Sequence, residues 1–320
     1  MLRYTTRRVL ISVPVLFGIL LLSFVFVQML PGDPMRALMS PEEAAAASPE
    51  YLKRRRAELG LDGTIWAQYV AWIREVLGGN LGYSFHRRDS VIEIIGERIG
   101  ATSMLVGASV AIALPLGVVM GVLAALKKNS AFDYASAGVS MFAISIPSFF
   151  LGLSAIYIFS LRLGILPSGG MRTFANDNNT VVDTMHHLLL PACVLAAVLV
   201  GPYVRFTRQS MLEVLHQDHL VTARAKGVST AGTVVRHGLR NALVPLTTVL
   251  AIQVPALLAG TVVIETIFAW PGVGRLVLEA ITSRDYPVII GVVLMSAVLV
   301  MLFNLFADLL AAVLDPRIRI

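Results

Sequence analysis

Six stretches of this sequence carry no Asp, Glu, Lys or Arg, and their lengths decide what the chain can fold into. They are Val9–Leu30, Ala101–Leu126, Tyr134–Leu161, Leu188–Val204, Asn241–Ile264 and Tyr286–Ala307, from 17 to 28 residues long. A helix needs roughly 20 residues to cross a hydrocarbon layer of about 30 Å. The shortest run, Leu188–Val204, is completed by Phe206 and by Arg205, whose aliphatic stem can stay in the apolar layer while its guanidinium reaches the headgroups. A β-barrel would instead show strands of about ten residues with alternating polarity. Composition agrees: the chain is 56% hydrophobic and 14% charged, against about 25% charged in a typical soluble domain. The 320 residues therefore read as a single all-α membrane domain, 1–320, rather than the two domains that length suggests for a soluble chain. Its six transmembrane helices are expected at about 9–30, 101–126, 134–161, 188–206, 241–264 and 286–314.

The first run follows Arg3, Arg7 and Arg8 and has the outline of a secretory signal. Its apolar core exceeds the roughly 7–15 residues of a signal sequence, and no small-x-small cleavage site precedes Pro31-Gly32-Asp33-Pro34, so it is read as a retained helix. Six spans place both termini on one side. Short loops govern orientation, because long segments translocate largely regardless of charge. With the 70-residue segment 31–100 set aside, the terminal side holds 13 Lys and Arg and the opposite side 4, which puts both termini in the cytoplasm. The net charge of +6 follows from that asymmetry; no aromatic–basic module points to nucleic acid. The one cysteine, Cys193, lies within a span and excludes disulfides and thiol-based metal motifs.

Between the spans, residues 31–100 form an external segment with two expected helices, Pro49–Leu59 and Thr64–Leu77, followed by Gly78-Gly79-Asn80. Structureless loops beyond about 15 residues are uncommon, so the segment reads as a small external cap. The exposed basic run Lys53, Arg54, Arg55 and Arg56 is its candidate contact surface for an external protein. A short turn, Lys127-Lys128-Asn129, joins spans two and three, and an external loop, Phe268–Arg275, precedes the last span. The cytoplasmic segment 205–240 is too long for a simple connection. Within it Ser210–Lys226 reads as a helix outside the bilayer, with Met211, Leu212, Val214 and Leu215 on its apolar side. Gly227 is suited to ending it. Amphipathicity alone leaves two readings, a lever moved by a partner or a helix lying among headgroups.

The stretch Asp218-His219-Leu220-Val221-Thr222-Ala223-Arg224-Ala225-Lys226-Gly227, followed by His237-Gly238-Leu239-Arg240-Asn241-Ala242, resembles the cytoplasmic loop of ABC importer permeases. More closely it is similar to the version in dipeptide and oligopeptide permeases; Val221-Thr222-Ala223 stands where the generic Glu-Ala-Ala falls, so only Ala223 matches that wording. The likeness extends over nearly the whole chain. It includes Pro31–Pro34, Gly60-Leu61-Asp62, Gly79–Ser84, Ser145–Phe149, Arg205–Arg208, Glu265–Phe268, Arg284–Pro287 and Asp315-Pro316-Arg317. The resemblance implies a permease subunit of the bacterial cytoplasmic (inner) membrane that imports di- or oligopeptides. Nickel complexes, glutathione and oligosaccharides are alternatives within the family. It implies a second homologous permease, two cytoplasmic ATPase subunits and an external solute-binding protein as partners. Segment 205–240 then becomes the coupling loop, with Ala223, Arg224, Ala225, Lys226 and Gly227 as the ATPase-coupling residues.

No phosphate-binding loop of the Gly-x4-Gly-Lys-Ser/Thr type occurs here, so ATP and Mg are expected on the ATPase partners and no cofactor or catalytic residue is assigned to this chain. Gln253 in the fifth span could line a pore or bond a neighbouring helix. Asn304 and Asp308 share a face of the last span, where an ionisable group is costly unless paired or wet. They are read as pore or helix-pairing residues, with pairing near the cytoplasmic interface preferred. Gly117 and Gly121 form a small-xxx-small pair permitting close helix contact. Pro115, Pro147, Pro191, Pro202, Pro245 and Pro255 are expected to kink or break the spans. His186-His187 and His216 with His219 have metal-compatible spacings, but no carboxylate or thiolate cluster joins them and no metal is assigned. A stand-alone proton-coupled transporter would want paired carboxylates or a His relay at mid-membrane, which only Asp308 approaches.

Overall fold

Lipid cannot hydrogen-bond a peptide group, so a chain with such long apolar runs must satisfy its backbone within helices. The computed structural model describes residues 2–29, 63–173, 181–215 and 261–314, with isolated positions 48, 50, 51, 217, 232, 239, 242, 253 and 257. Its helices are α1 (Leu2–Met29), α2 (Ile65–Leu77), α3 (Val91–Leu126), α4 (Ala131–Ser145), α5 (Ser148–Ala155), α6 (Val181–Leu215), α7 (Val273–Ser283) and α8 (Tyr286–Leu314). α5 continues as a π-helical stretch, Ile156–Arg162. Among the described residues the only β pairing is an isolated antiparallel bridge, Tyr83 with Ser90.

Among the described residues three helices are long and apolar enough to cross a membrane, namely Val91–Leu126, Val181–Leu215 and Tyr286–Phe306. The expected third span, Tyr134–Leu161, is broken: α4 and the α5–π segment meet at 97°. Pro147 caps α5 and cannot donate to the preceding turn, and Ile146 before it is extended at φ −79° and ψ 127°. The other prolines within described helices do not interrupt them. α3 runs through Pro115 and α6 through both Pro191 and Pro202. The expected fifth span lies almost wholly outside the described residues.

The helices α1, α3, α6 and α8 all exceed their apolar runs, and α3 and α6 show why. α3 starts at Val91 because Val91, Ile94 and Ile95 are buried while Glu93 and Glu97 stay exposed, an amphipathic prelude to the span. α6 continues without interruption to Leu215, carrying buried Tyr203, Thr207, Met211 and Val214 on one stripe. Residues 210–215 therefore belong to the span's own helix and do not begin a separate one. The rest of the expected coupling helix, and the first cap helix with Lys53–Arg56, lie outside the described residues.

The chain divides into two compact units. One comprises Gly100–Arg275 with Met1–Arg8 and Val300–Ile320. Its core gathers Leu105, Leu195, Tyr203, Ile264, Phe268 and Trp270. The other comprises Val9–Ile99 and Leu276–Leu299. Within it Gly291 of α8 abuts Val91 and Ile95 of α3 so closely that a Cβ would collide with Val91. Asp285, just before α8, accepts hydrogen bonds from the Ser84 hydroxyl and from Phe85 N (3.1 Å). Ser84 in turn holds its loop, its Oγ accepting from Arg87 N at 2.9 Å.

Candidate functional site

The turn between α3 and α4 builds one end of the site. Asn129 takes a left-handed conformation, φ 62°, which asparagine tolerates. It leads into Ser130, whose hydroxyl caps α4 by accepting from Asp133 N at 3.3 Å. The Asp133 carboxylate in turn accepts from Asn129 N at 3.0 Å, holding the residue before the cap. The same carboxylate reaches across to α6. Arg208 grips it with two parallel bonds, Nε to Oδ1 and Nη2 to Oδ2, the second at 2.8 Å. A planar guanidinium matched to a carboxylate fixes orientation as well as distance. Asp133 keeps 4% of its side chain exposed and Arg208 keeps 30%, so the pair closes a buried carboxylate from its solvent side.

α3 meets α6 along the two glycines. A Cβ on Gly117 would collide with Tyr203, and one on Gly121 would lie 2.6 Å from the Thr207 Cβ. The backbones therefore touch over a full turn. α4 approaches the same helix at Gly201, where a Cβ would come within 2.8 Å of Ser140 O. Tyr203 and Thr207 hydroxyls are buried without a hydrogen-bond partner among the described residues. Further along, Met211 and Val214 of α6 pack with Ala125 of α3 and with Ala242. Residues on either side of 216–241, Val214 and Ala242, thus belong to one buried cluster with Ala125 of α3.

A second node of the same unit lies at the other end of α3. Glu265 is fully buried. Thr102 Oγ1 donates to Glu265 Oε1 at 2.7 Å and accepts from Val273 N at 2.8 Å, while Arg275 N donates to Glu265 Oε2 at 3.0 Å. The carboxyl group thus ties the first turn of α7 to α3, satisfying amides that a helix start leaves unpaired. Trp270, also fully buried, donates from Nε1 to Ala101 O at 2.8 Å. Gly272 lies directly against the Glu265 carboxyl and leaves no room for a side chain.

Of the residues singled out by sequence, Ala223, Arg224, Ala225, Lys226 and Gly227 lie outside the described residues, as do Lys53, Arg54, Arg55 and Arg56. Gln253 has its side-chain oxygen buried with no partner among the described residues. Asn304 is exposed on this chain, and the side chain of Asp308 lies outside the described set. His187 Nδ1 bonds the carbonyl of Asp183 at 2.9 Å and His186 Nε2 that of Ile165 at 3.0 Å. Among the described residues no three His, Cys, Asp or Glu side chains converge. Sequence reasoning did not single out Asp133, Arg208, Glu265, Thr102 or Asp285 as structural polar nodes. A signal was present: four of the five stand beside, or at the edge of, an uncharged run, where a buried polar partner is needed.

Comparison with known proteins turns this helical scaffold into a family assignment. Residues 117–320 match the model of the binding-protein-dependent transport system inner membrane component, and residues 1–106 match the N-terminal model of the same membrane components. The chain belongs to this family of ABC importer permeases. It is 40% identical to the oligopeptide transport system permease protein of Bacillus subtilis, covering 100% of both chains. It is 40% identical to the dipeptide transport system permease protein of Escherichia coli, covering 100% of this chain and 99% of that one. Against the E. coli glutathione transport system permease protein the identity is 38%, again with 100% and 99% covered. The permease is thus a multi-pass component of the inner membrane, and ATP hydrolysis belongs to separate subunits.

Proposed function

We propose that this permease is one of two homologous subunits that together enclose the path of an ATP-driven importer of di- and oligopeptides. The end-to-end likeness to permeases of oligopeptide and dipeptide systems carries the reading. An external binding protein delivers substrate and two cytoplasmic ATPase subunits drive alternating access. Both termini face the cytoplasm. The segment 216–241, with Arg224, Lys226 and Gly227 at its centre, is seated in an ATPase subunit. The geometry around it supports that role. A displacement of the segment reaches α6 directly, and α6 is locked to α4 through Arg208–Asp133 and to α3 through Gly117 and Gly121. The push is therefore delivered to several helices together and is not lost in bending one.

The glutathione relative favours one second reading, a γ-linked tripeptide as cargo. Both are tested in an amino-acid auxotroph stripped of its own peptide importers, expressing this chain with its genomic neighbours. Growth on a di- or tripeptide supplying the missing amino acid is expected. Growth only when glutathione is the sulfur source would transfer the assignment to the second reading, and growth on neither would overturn both.

A further inference from the structure

α2 is a short helix outside the expected spans, yet it is built to meet lipid. Residues Ile65–Ile73 contain no charge, and Gln68 turns its amide back to Gly63 O at 2.9 Å. At about 100° per residue, Tyr69, Trp72 and Val76 share one flank, and Trp66, Val70, Ile73 and Leu77 share the next. Gln68, Ala71 and Glu75 fall opposite. The first flank docks on α1. Tyr69 donates its hydroxyl to Phe17 O at 3.2 Å, and the rings of Tyr69 and Trp72 lie 5.5 and 5.7 Å from that of Phe24. Among the described residues the second flank is left largely open: Trp66 is 66% exposed and Leu77 73%, with Ile73 half-buried.

Depth decides what covers it. Phe17 and Phe24 both belong to the uncharged run Val9–Leu30. Along a helix Phe24 stands about 9 Å and Phe17 about 20 Å from the end of that run. The ring contacts on Phe24 therefore set α2 in the outer part of the hydrocarbon layer, and the Tyr69 hydroxyl reaches deeper, to Phe17 O. Tryptophan and tyrosine are the side chains favoured where acyl chains meet headgroups.

We propose that α2 is an interfacial helix whose Trp66–Val70–Leu77 flank is immersed in the bilayer leaflet at the C-terminal end of α1. It is a membrane anchor for the loop that follows, and its free flank is not a docking face for the binding protein. The inference uses only the membrane setting and does not depend on which substrate is carried or which way the termini face.

The test is spin-label accessibility in the full-length chain, purified with the subunits that accompany it and reconstituted in phosphatidylcholine nanodiscs. Single cysteines replace Val70, Leu77 or Ala71 in a Cys193→Ala background. At positions 70 and 77 collisions with oxygen should exceed those with a water-soluble nickel chelate severalfold, and position 71 should show a clearly lower ratio. Equal or greater access to the chelate would place the flank in water, and low access to both reagents would mean that a protein covers it. Either result overturns the proposal. Should the cysteine variants fail to assemble, tryptophan quenching by lipids brominated high in the acyl chain uses the unaltered protein. Trp66→Phe should remove much of that quenching, since Trp270 is buried and Trp72 packs on Phe24; absence of lipid quenching would equally refute the anchor.

Discussion

Gly121 shows how much one hydrogen atom in place of a side chain can determine here. Its spacing from Gly117 was legible as a close-packing signal, but what it approaches was not, because Thr207 and Tyr203 are far away in sequence. A Gly121→Val change must push α3 from α6 over a backbone contact that has no flexible end to yield. Overpacking of this kind costs about 1–3 kcal/mol. The expected result is a lower apparent Tm of the detergent-solubilised protein, with Gly138→Ala, which meets nothing within 4 Å, as the neutral control. Asp133 and Arg208 pose the converse case. They are separated by 75 positions, so neither spacing nor charge pattern could pair them. Arg208→Gln leaves a nearly buried carboxylate without its guanidinium. Such a loss costs about 3–5 kcal/mol in a fully buried pair, and the partial exposure of Arg208 brings the expectation to about 2 kcal/mol. Adding Asp133→Asn should recover much of that stability in a double-mutant cycle. Additive losses would show that the two side chains do not act together.

At the scale of elements, periodicity and charge gaps located helices well and their limits poorly. α8 starts where its run does because Pro287 and the capping loop at Asp285 stop it sharply at that end. α6 overruns its own because charged residues on the exposed side of a helix do not end it, and nothing in the run marks where lipid stops. The break at Pro147 was visible only as one proline among six; its neighbour Ile146 carries no distinguishing mark. α7 was missed altogether, since Gly272 and Pro271 disguise a helix start that Glu265 and Thr102 complete from a distance. The coupling segment is testable as an element. Arg224→Glu with Lys226→Glu and Gly227→Val should leave the permease in the membrane at normal abundance, while co-purification of the ATPase subunits and peptide uptake both fall by an order of magnitude or more. Survival of both would mean that this segment is not where the ATPase attaches.

The whole molecule is a set of helices bound by buried polar nodes where its apolar runs begin and end: Asp133–Arg208, Glu265–Thr102 and Asp285–Ser84. Three of the short motifs that carry the family resemblance, Arg205–Arg208, Glu265–Phe268 and Arg284–Pro287, supply those nodes. Family likeness and structural necessity thus coincide at the same residues. Among the described residues no node is a carboxylate pair of the sort that would relay protons, and the energy source is the property to measure. Uptake of a labelled tripeptide should be measured in cells lacking ATP synthase, where ATP and the proton gradient can be depleted separately. An ATP-driven permease should lose uptake when arsenate drains ATP with the gradient intact, and keep it when an uncoupler collapses the gradient with ATP intact. Uptake that survives arsenate and stops with the uncoupler would contradict the account.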